Sequence, residues 1–201
     1  MSTLDYVTLE VADTSAAEAF YAAAFEINDR VRIRAAEAPA AGFRGFTLSL
    51  VVSQPAAVRG IIDDASAAGA TVVKPAAKSL WGYGGAFQAP DGTIWTVASS
   101  SKKDTGSATR RIDEIVLQLG VTDVGASKQF YADQGFTVAK SYGRKYVEFG
   151  TGPVGLSLTK RGALAKVAGI PADGSGSHRL VLHGDAGTFT DPDGFAWETP
   201  A

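Results

Sequence analysis

Cysteine and histidine, two of the side chains that most often act as nucleophile, general base or metal ligand, are absent or rare in this sequence. The chain has no cysteine, which excludes disulfides, thiolate nucleophiles and cysteine-ligated zinc. Its two histidines, His178 and His183, leave little room for a Ser-His-Asp triad, although His183 followed by Asp185 keeps that alternative open. The sequence contains no glycine-rich phosphate loop and no G-x-S-x-G or H-E-x-x-H motif. No catalytic motif therefore dominates the sequence.

A loop rich in aromatic residues and glycine precedes one predicted strand. Trp81 and Tyr83 lie in this loop, within residues 79–83 (SLWGY). Aromatic rings at this place can form the rim of a pocket and stack on a flat ligand. The alternative is that Trp81 only covers the end of a sheet. Trp95 and Trp197 each follow a Pro-Asp-Gly turn, and we expect both to pack in the core.

The sequence repeats itself at both ends of a unit about a hundred residues long. Residues 4–11 (LDYVTLEV) resemble residues 112–119 (IDEIVLQL), and residues 87–95 (FQAPDGTIW) resemble residues 189–197 (FTDPDGFAW). The two matches occur in the same order, which indicates a duplicated module. We therefore predict one module over residues 1–100, a polar linker over 101–110 and a second module over 111–201.

Hydrophobic periodicity predicts alternating strands and helices. Within residues 4–11, apolar and polar side chains alternate, which is typical of a half-buried strand. A helix is predicted to open at residues 13–15, with a capping box formed by Ser15 and Glu18. A second helix begins near Pro55 and ends at Gly69.

The second module is predicted to contain fewer helices than the first. The first module gives the pattern βαβ followed by βαβββ. The second module has a strand, a helix over residues 123–134 and several short strands, with a loop over residues 161–176. It lacks the second helix, because only residues 184–187 separate two of its last strands.

Composition limits the classes of partner. The net charge is −2, which gives no electrostatic basis for binding nucleic acid or an anionic membrane. The apolar fraction of 45% is sufficient for a core, but no run approaches the length of a spanning helix. We see no signal peptide and expect a cytoplasmic location.

The ordered features resemble the vicinal oxygen chelate superfamily, which includes glyoxalase I, bleomycin-resistance proteins and extradiol dioxygenases. The resemblance lies in the strand 4–11, the Phe20-Tyr21 pair and the hairpin 87–95, which all recur in the second half. It covers nearly the whole chain. It implies an α+β fold of two glyoxalase/bleomycin-resistance-like modules, built from βαβββ units whose curled mixed sheets surround a cup.

Enzymes of this superfamily hold a divalent metal with side chains that face the cup. At the positions of two usual ligands the first module has Tyr6 and Thr96, so we expect no metal there. In the second module, Glu114, His178 and Glu198 match ligand positions, and the resemblance implies a candidate site for Zn, Ni, Mn or Fe. The alternative is a loop histidine and solvated glutamates with no cofactor, which is the interpretation that we favour.

Alternation also predicts which residues face the cup. If the apolar face of residues 4–11 packs on a helix, the opposite face looks into the cup. The predicted ligand-binding residues are the polar side chains of this face, their counterparts in the second repeat and the aromatic rim: Tyr6, Thr8, Glu10, Trp81, Tyr83, Glu114 and Gln118. Modules of this superfamily can also exchange halves, in which case Tyr6 would face Glu198, and Glu114 would face Thr96.

Two functions of different classes follow from the resemblance. The first is a metal-free protein that binds or sequesters a hydrophobic or aromatic small molecule. The second is a metal-dependent lyase, isomerase or dioxygenase that uses Glu114, His178 and Glu198. A third alternative is an interaction module with a vestigial pocket. The modules are expected to pair either within a monomer or across a homodimer.

Overall fold

The structure is a computed structural model that describes residues 1–27, 29–150 and 152–201. Fifteen strands occur within these residues: β1 (Leu4–Val11), β2 (Val31–Ala35), β3 (Ala40–Gly42), β4 (Phe46–Val51), β5 (Thr71–Ser79), β6 (Gly82–Gln88), β7 (Ile94–Ser99), β8 (Glu114–Val121), β9 (Val138–Ser141), β10 (Tyr146–Phe149), β11 (Gly155–Lys160), β12 (Gly174–Gly176), β13 (Leu180–Gly184), β14 (Phe189–Thr190) and β15 (Ala196–Glu198). Four helices accompany them: α1 (Thr14–Ala24), α2 (Pro55–Ala67), α3 (Val124–Asp133) and α4 (Arg161–Ala168). None of these helices is long and apolar enough to cross a bilayer.

The larger sheet has eight strands and consists of two complete βαβββ units. Its order is β5-β6-β7-β4-β8-β11-β10-β9. One unit runs from β4 through α2 to β7, and the other runs from β8 through α3 to β11. The units meet where β4 and β8 pair antiparallel, with Leu48 opposite Leu117.

The smaller sheet has five strands in the order β14-β15-β13-β1-β2 and is built from two incomplete units. Strands β1 and β2 with helix α1 come from the beginning of the chain, and β13 to β15 come from its end. They meet where β1 and β13 pair antiparallel, with Val7 opposite Leu182. As predicted, no helix lies between β13 and β14 among the described residues.

Each sheet therefore takes strands from both predicted modules, as in the exchange of halves that the sequence left open. The boundaries at residues 1–100 and 111–201 stay a prediction about the repeat in the sequence. The predicted linker, 101–110, lies in the connection between β7 and β8, which contains no helix or strand.

One hydrophobic core lies between the two sheets, with helices α1 and α2 packed against each other. Trp95 and Trp197 are buried in this core, which confirms their predicted role. Each indole nitrogen donates to a tyrosine hydroxyl, at 3.2 Å in both cases: Trp95 to Tyr21 and Trp197 to Tyr131. The repeated aromatic pairs therefore hold equivalent helices against equivalent hairpins.

The residues at the ends of helices α1 and α2 explain where these helices begin and end, and one predicted cap is corrected. The N-cap of helix α1 lies two residues before Ser15, the first residue of the predicted capping box. This N-cap is Asp13, whose carboxylate accepts a hydrogen bond from the main-chain nitrogen of Ala16 at 2.9 Å. An aspartate is at least as good an N-cap as a serine, so it takes precedence. Helix α2 begins at Pro55 as predicted, and Gly69 follows it with a positive φ of 111°.

The predicted loop at residues 161–176 is wrong, because it contains helix α4 and strand β12. Leu164, Ala165 and Ala168 of α4 are buried against Phe43 and Ile94. The helix ends at Gly169 in the left-handed conformation, which glycine adopts without steric cost. The spacing of the three apolar residues and the following glycine were the available signals, but α4 has only eight residues.

Candidate ligand-binding site

The floor of the candidate site is the face of the large sheet that points away from the core. On β4, Leu48 and Leu50 are buried in the core, while Ser49 lies on the opposite face. On β8, Leu117 enters the core and Gln118 lies on the opposite face. Side chains alternate across a strand, so the polar members of both central strands form the floor of a cup.

Helix α4 closes one end of this cup. It packs across β8, β11, β4 and β7. The close approach depends on Gly120, where a Cβ atom would lie 2.9 Å from the Cα atom of Arg161. Arg161 donates through Nε to the carbonyl of Ala172 at 3.0 Å and lies over the ring of Phe43.

The open part divides into two lobes, of which the larger is aromatic and basic. This aromatic lobe has a volume of about 410 Å³, within the usual range for small-molecule sites. Its walls include Trp81 and Lys74. The ring of Tyr83 lies on the other face of the sheet, where it packs against the core below Arg59 of α2 and donates through its hydroxyl to the carbonyl of Ala76 at 3.3 Å. Lys78 pairs with Tyr83 across β5 and β6, so its side chain shares that face. The indole of Trp81 is 86% exposed and forms the rim.

The second lobe, of about 220 Å³, is acidic. Glu114 and Glu148 line it with the phenol of Tyr146, which donates to Oε2 of Glu148 at 3.2 Å. Burial, followed by the negative charge of Glu148, raises the pKa of Tyr146 to about 12. The phenol therefore stays protonated at neutral pH and acts as a hydrogen-bond donor.

Ser49 and Gln118 belong to the lining of both lobes and mark their junction. Thr47 donates through its hydroxyl to Oε1 of Gln118 at 3.0 Å. This bond fixes the amide, so its NH₂ group is turned toward the cup as a donor. Thr96, next to Ser49 on β7, adds a hydroxyl to the floor. The junction thus offers hydroxyl and amide groups rather than charges.

The equivalent face of the small sheet is largely covered by its own side chains. Tyr6 is stacked between His183, at 4.3 Å between ring centroids, and the guanidinium of Arg32, at 3.6 Å. The hydroxyl of Tyr6 accepts a hydrogen bond from the main-chain nitrogen of Ala201 at 3.2 Å. The hydroxyl of Thr8 lies 3.0 Å from Nε2 of His183. Tyr6, Thr8 and His183 are all buried.

A solvent-exposed groove on the same sheet is lined by charges that already pair with each other. Arg34 contacts Oε1 of Glu10 at 2.6 Å and Oε2 of Glu198 at 3.4 Å. His183, behind this network, has its pKa lowered chiefly by burial. The groove has no aromatic rim among the described residues that line it.

The predicted ligand-binding residues therefore separate between the two sheets. Trp81, Glu114 and Gln118 lie together in the cup of the large sheet, whereas the ring of Tyr83 lies on the other face of that sheet, against the core. The others, Tyr6, Thr8 and Glu10, lie on the small sheet, because equivalent strands of the two repeats belong to different sheets. The polar cup residues that the sequence analysis did not predict include Ser49, Lys74, Tyr146 and Glu148. The alternation in residues 46–51 and 146–149 was the signal that pointed to the floor residues.

The three candidate metal ligands do not come together. Glu114 lies on the large sheet, whereas Glu198 lies on the small sheet. His178 lies 2.6 Å through Nδ1 from the carbonyl of Arg44 and 3.0 Å through Nε2 from that of Asp193, so both nitrogens face main-chain oxygens. Within the described parts of the chain, no three His, Cys, Asp or Glu side chains are grouped as metal ligands. These residues do not fit the divalent metal that the superfamily implies.

Comparison with known proteins identifies the fold. No protein-family profile matches the chain, and no curated protein matches it. Glyoxalase I from Zea mays superposes with a TM-score of 0.64 at 12% identity, over 99% of this chain and 92% of that one. A point mutant of the same enzyme gives 0.62 at 13% identity with the same coverage. A dioxygenase, described as putative, from Bacillus subtilis gives 0.54 at 11% identity, over 90% of this chain and 69% of that one.

At such identities the similarity defines the fold alone. The chain has the α+β fold of glyoxalase I, with curled sheets built from βαβββ units. The fold that the resemblance implied is therefore confirmed.

Proposed function

We propose that the protein binds a small organic molecule with a flat, hydrophobic part in the cup of the large sheet, without a metal. The observation that carries this proposal is the arrangement of the cup. Its floor offers the uncharged polar groups of Ser49, Thr96 and Gln118, and its rim offers the indole of Trp81. A few placed polar groups beside an aromatic side chain are typical of small-molecule sites.

Binding alone, rather than metal-dependent catalysis, agrees best with the side chains of the cup. The floor hydroxyls and the amide of Gln118 are weak ligands for Zn, Ni, Mn or Fe, which favour imidazole and carboxylate. They are suitable for orienting a ligand by hydrogen bonds. The pairing of β4 with β8 within one chain supports a monomer as the binding unit.

The test is a titration with 1-anilinonaphthalene-8-sulfonate, which is aromatic and becomes fluorescent in an apolar site. Trp81 is the exposed tryptophan of the three, whereas Trp95 and Trp197 are buried. Binding in the cup should therefore quench the emission of Trp81 as the emission of the probe rises. A Trp81→Phe variant, which keeps an aromatic rim, should lose the quenching but retain the probe signal.

A Ser49→Leu variant distinguishes the cup from any other surface. The leucine side chain would fill the junction of the two lobes, and we expect it to weaken probe binding at least about tenfold through steric exclusion. A normal unfolding transition would show that the variant folds. Unchanged probe affinity in folded Ser49→Leu protein would refute the cup as the binding site.

A further inference from the structure

The two lobes of the cup carry opposite charge. Lys74 lines the aromatic lobe, and Glu114 and Glu148 line the acidic lobe. The ammonium of Lys74 donates one hydrogen bond, to the carbonyl of Val167 at 2.9 Å. A ligand that occupies both lobes thus meets positive charge at one end and negative charge at the other.

The carboxylate of Glu114 is available to such a ligand. Among the described residues it takes part in no ion pair, whereas Glu148 contacts Lys140 at 3.5 Å. Gly155 makes room for it, because a Cβ atom at this position would lie 3.0 Å from Oε1 of Glu114. The glutamate therefore lies along the floor of the lobe next to a residue without a side chain.

A path of small side chains connects the two lobes across the sheet. Strand register places Glu114 opposite Val51, Val51 opposite Ala98, and Ala98 opposite Gly84. Gly84 also lines the aromatic lobe. Three strand spacings separate the ends of this row, which is about 14 Å along the sheet. Between its two ends the row has no side chain larger than valine.

We infer that the ligand is an elongated amphoteric molecule. Its flat, anionic end lies between Trp81 and Lys74, and its protonated amine lies against Glu114. This inference rests on the proposed function and narrows it to a chemical class. It follows from three separate features of the cup: the aromatic rim, the opposite charges and the row of small side chains that joins them.

Three dansyl compounds test the inference, because they differ by one charged group each. Nα-dansyl-lysine has an aromatic ring, a carboxylate and a terminal ammonium. Dansyl-norleucine lacks the ammonium, and dansylcadaverine lacks the carboxylate. We expect dansyl-lysine to bind about fivefold more tightly than either, since one partly exposed charge pair contributes this much.

Substitutions in each lobe test which charged group of the ligand that lobe binds. Glu114→Gln should abolish the preference for dansyl-lysine over dansyl-norleucine. Lys74→Met should abolish the preference over dansylcadaverine. The matched controls are Glu18→Gln on α1 and Lys102→Met in the linker, which are exposed outside the cup and should change neither preference.

The possible outcomes separate this inference from the proposed function. Equal or weaker binding of dansyl-lysine, with 1-anilinonaphthalene-8-sulfonate still bound in a manner sensitive to Ser49→Leu, would overturn the amphoteric ligand and leave the cup as the site. A preference that survives Glu114→Gln would overturn the assignment of the amine to the acidic lobe. Failure of all the probes to bind would count against both.

Discussion

The two sheets present equivalent faces with different contents. On the large sheet, the floor around Ser49 and Gln118 is open, and its lobes carry side chains without mutual partners, such as Glu114. On the small sheet, the rings of Tyr6 and His183 stack on each other, and Arg34 forms salt bridges with Glu10 and Glu198. The same fold thus keeps one face free for a ligand and uses the other for its own stability.

The largest expected effect on stability comes from a substitution in helix α4, at the closed end of the cup. Leu164→Ala removes a buried side chain from the cluster with Phe43 and Ile94, so we expect a loss of about 2–4 kcal/mol in the free energy of unfolding. Val167→Ala, on the same helix but 58% exposed, should cost less than about 0.5 kcal/mol. Urea denaturation of both variants measures the difference. Equal losses would mean that α4 does not anchor the end of the cup through Leu164.

Two substitutions that each remove one hydroxyl group test the difference between the faces of the two sheets. Thr8→Val removes the hydroxyl that lies 3.0 Å from Nε2 of His183 and leaves this buried nitrogen without its partner. We expect a loss of about 1–2 kcal/mol in stability and no change in probe binding. Ser49→Ala in the cup should do the reverse: it should leave stability within about 0.5 kcal/mol of the wild type and weaken probe binding.

These expectations can fail independently of each other. A stable Thr8→Val variant with weakened probe binding would place the ligand on the small sheet. A large loss of stability in Ser49→Ala would show that the floor of the cup is structural. Either result would remove the contrast between the two faces.

The smallest expected effect concerns the pH dependence of stability. Burial holds the pKa of His183 below its ordinary value of about 6.5, so the unfolded chain binds a proton first as the pH falls. This contribution to stability is present above about pH 6.5 and is lost as the pH falls toward the pKa of the folded protein. His183→Gln should therefore show a shallower decline than the wild type in urea titrations between about pH 7 and pH 5. Parallel curves would contradict a buried, neutral His183.

Much of the fold could be predicted from local patterns, whereas the partners of the strands could not. Alternation placed Val7 and Leu9 in the core, and the repeated turns placed Trp95 and Trp197 there. The equivalence of β1 and β8 was visible, but their assignment to different sheets depends on contacts with β13 and β4. This is why Tyr6 and Glu114 were predicted to share one pocket.

The candidate site was predicted only where the sequence itself marks it. The aromatic rim at Trp81 stood out by composition, and Gln118 followed from alternation. The same loop also suggested Tyr83, but its ring packs on the other face of the sheet. Glu148 and Tyr146 lie on β10, a short strand whose place beside β11 is set by tertiary pairing. The proposed metal ligands were chosen because they match ligand positions of the superfamily. The sequence could not show that both nitrogens of His178 face main-chain oxygens, or that Glu114 and Glu198 lie on different sheets, because both depend on the folded chain.

The most direct test of the central claim is a crystal structure of the protein with Nα-dansyl-lysine. We predict electron density for the probe over Ser49 and Gln118, with the dansyl rings beside Trp81 and the ammonium beside Glu114. Density for the probe on the small sheet, beside Tyr6 and His183, would contradict the account.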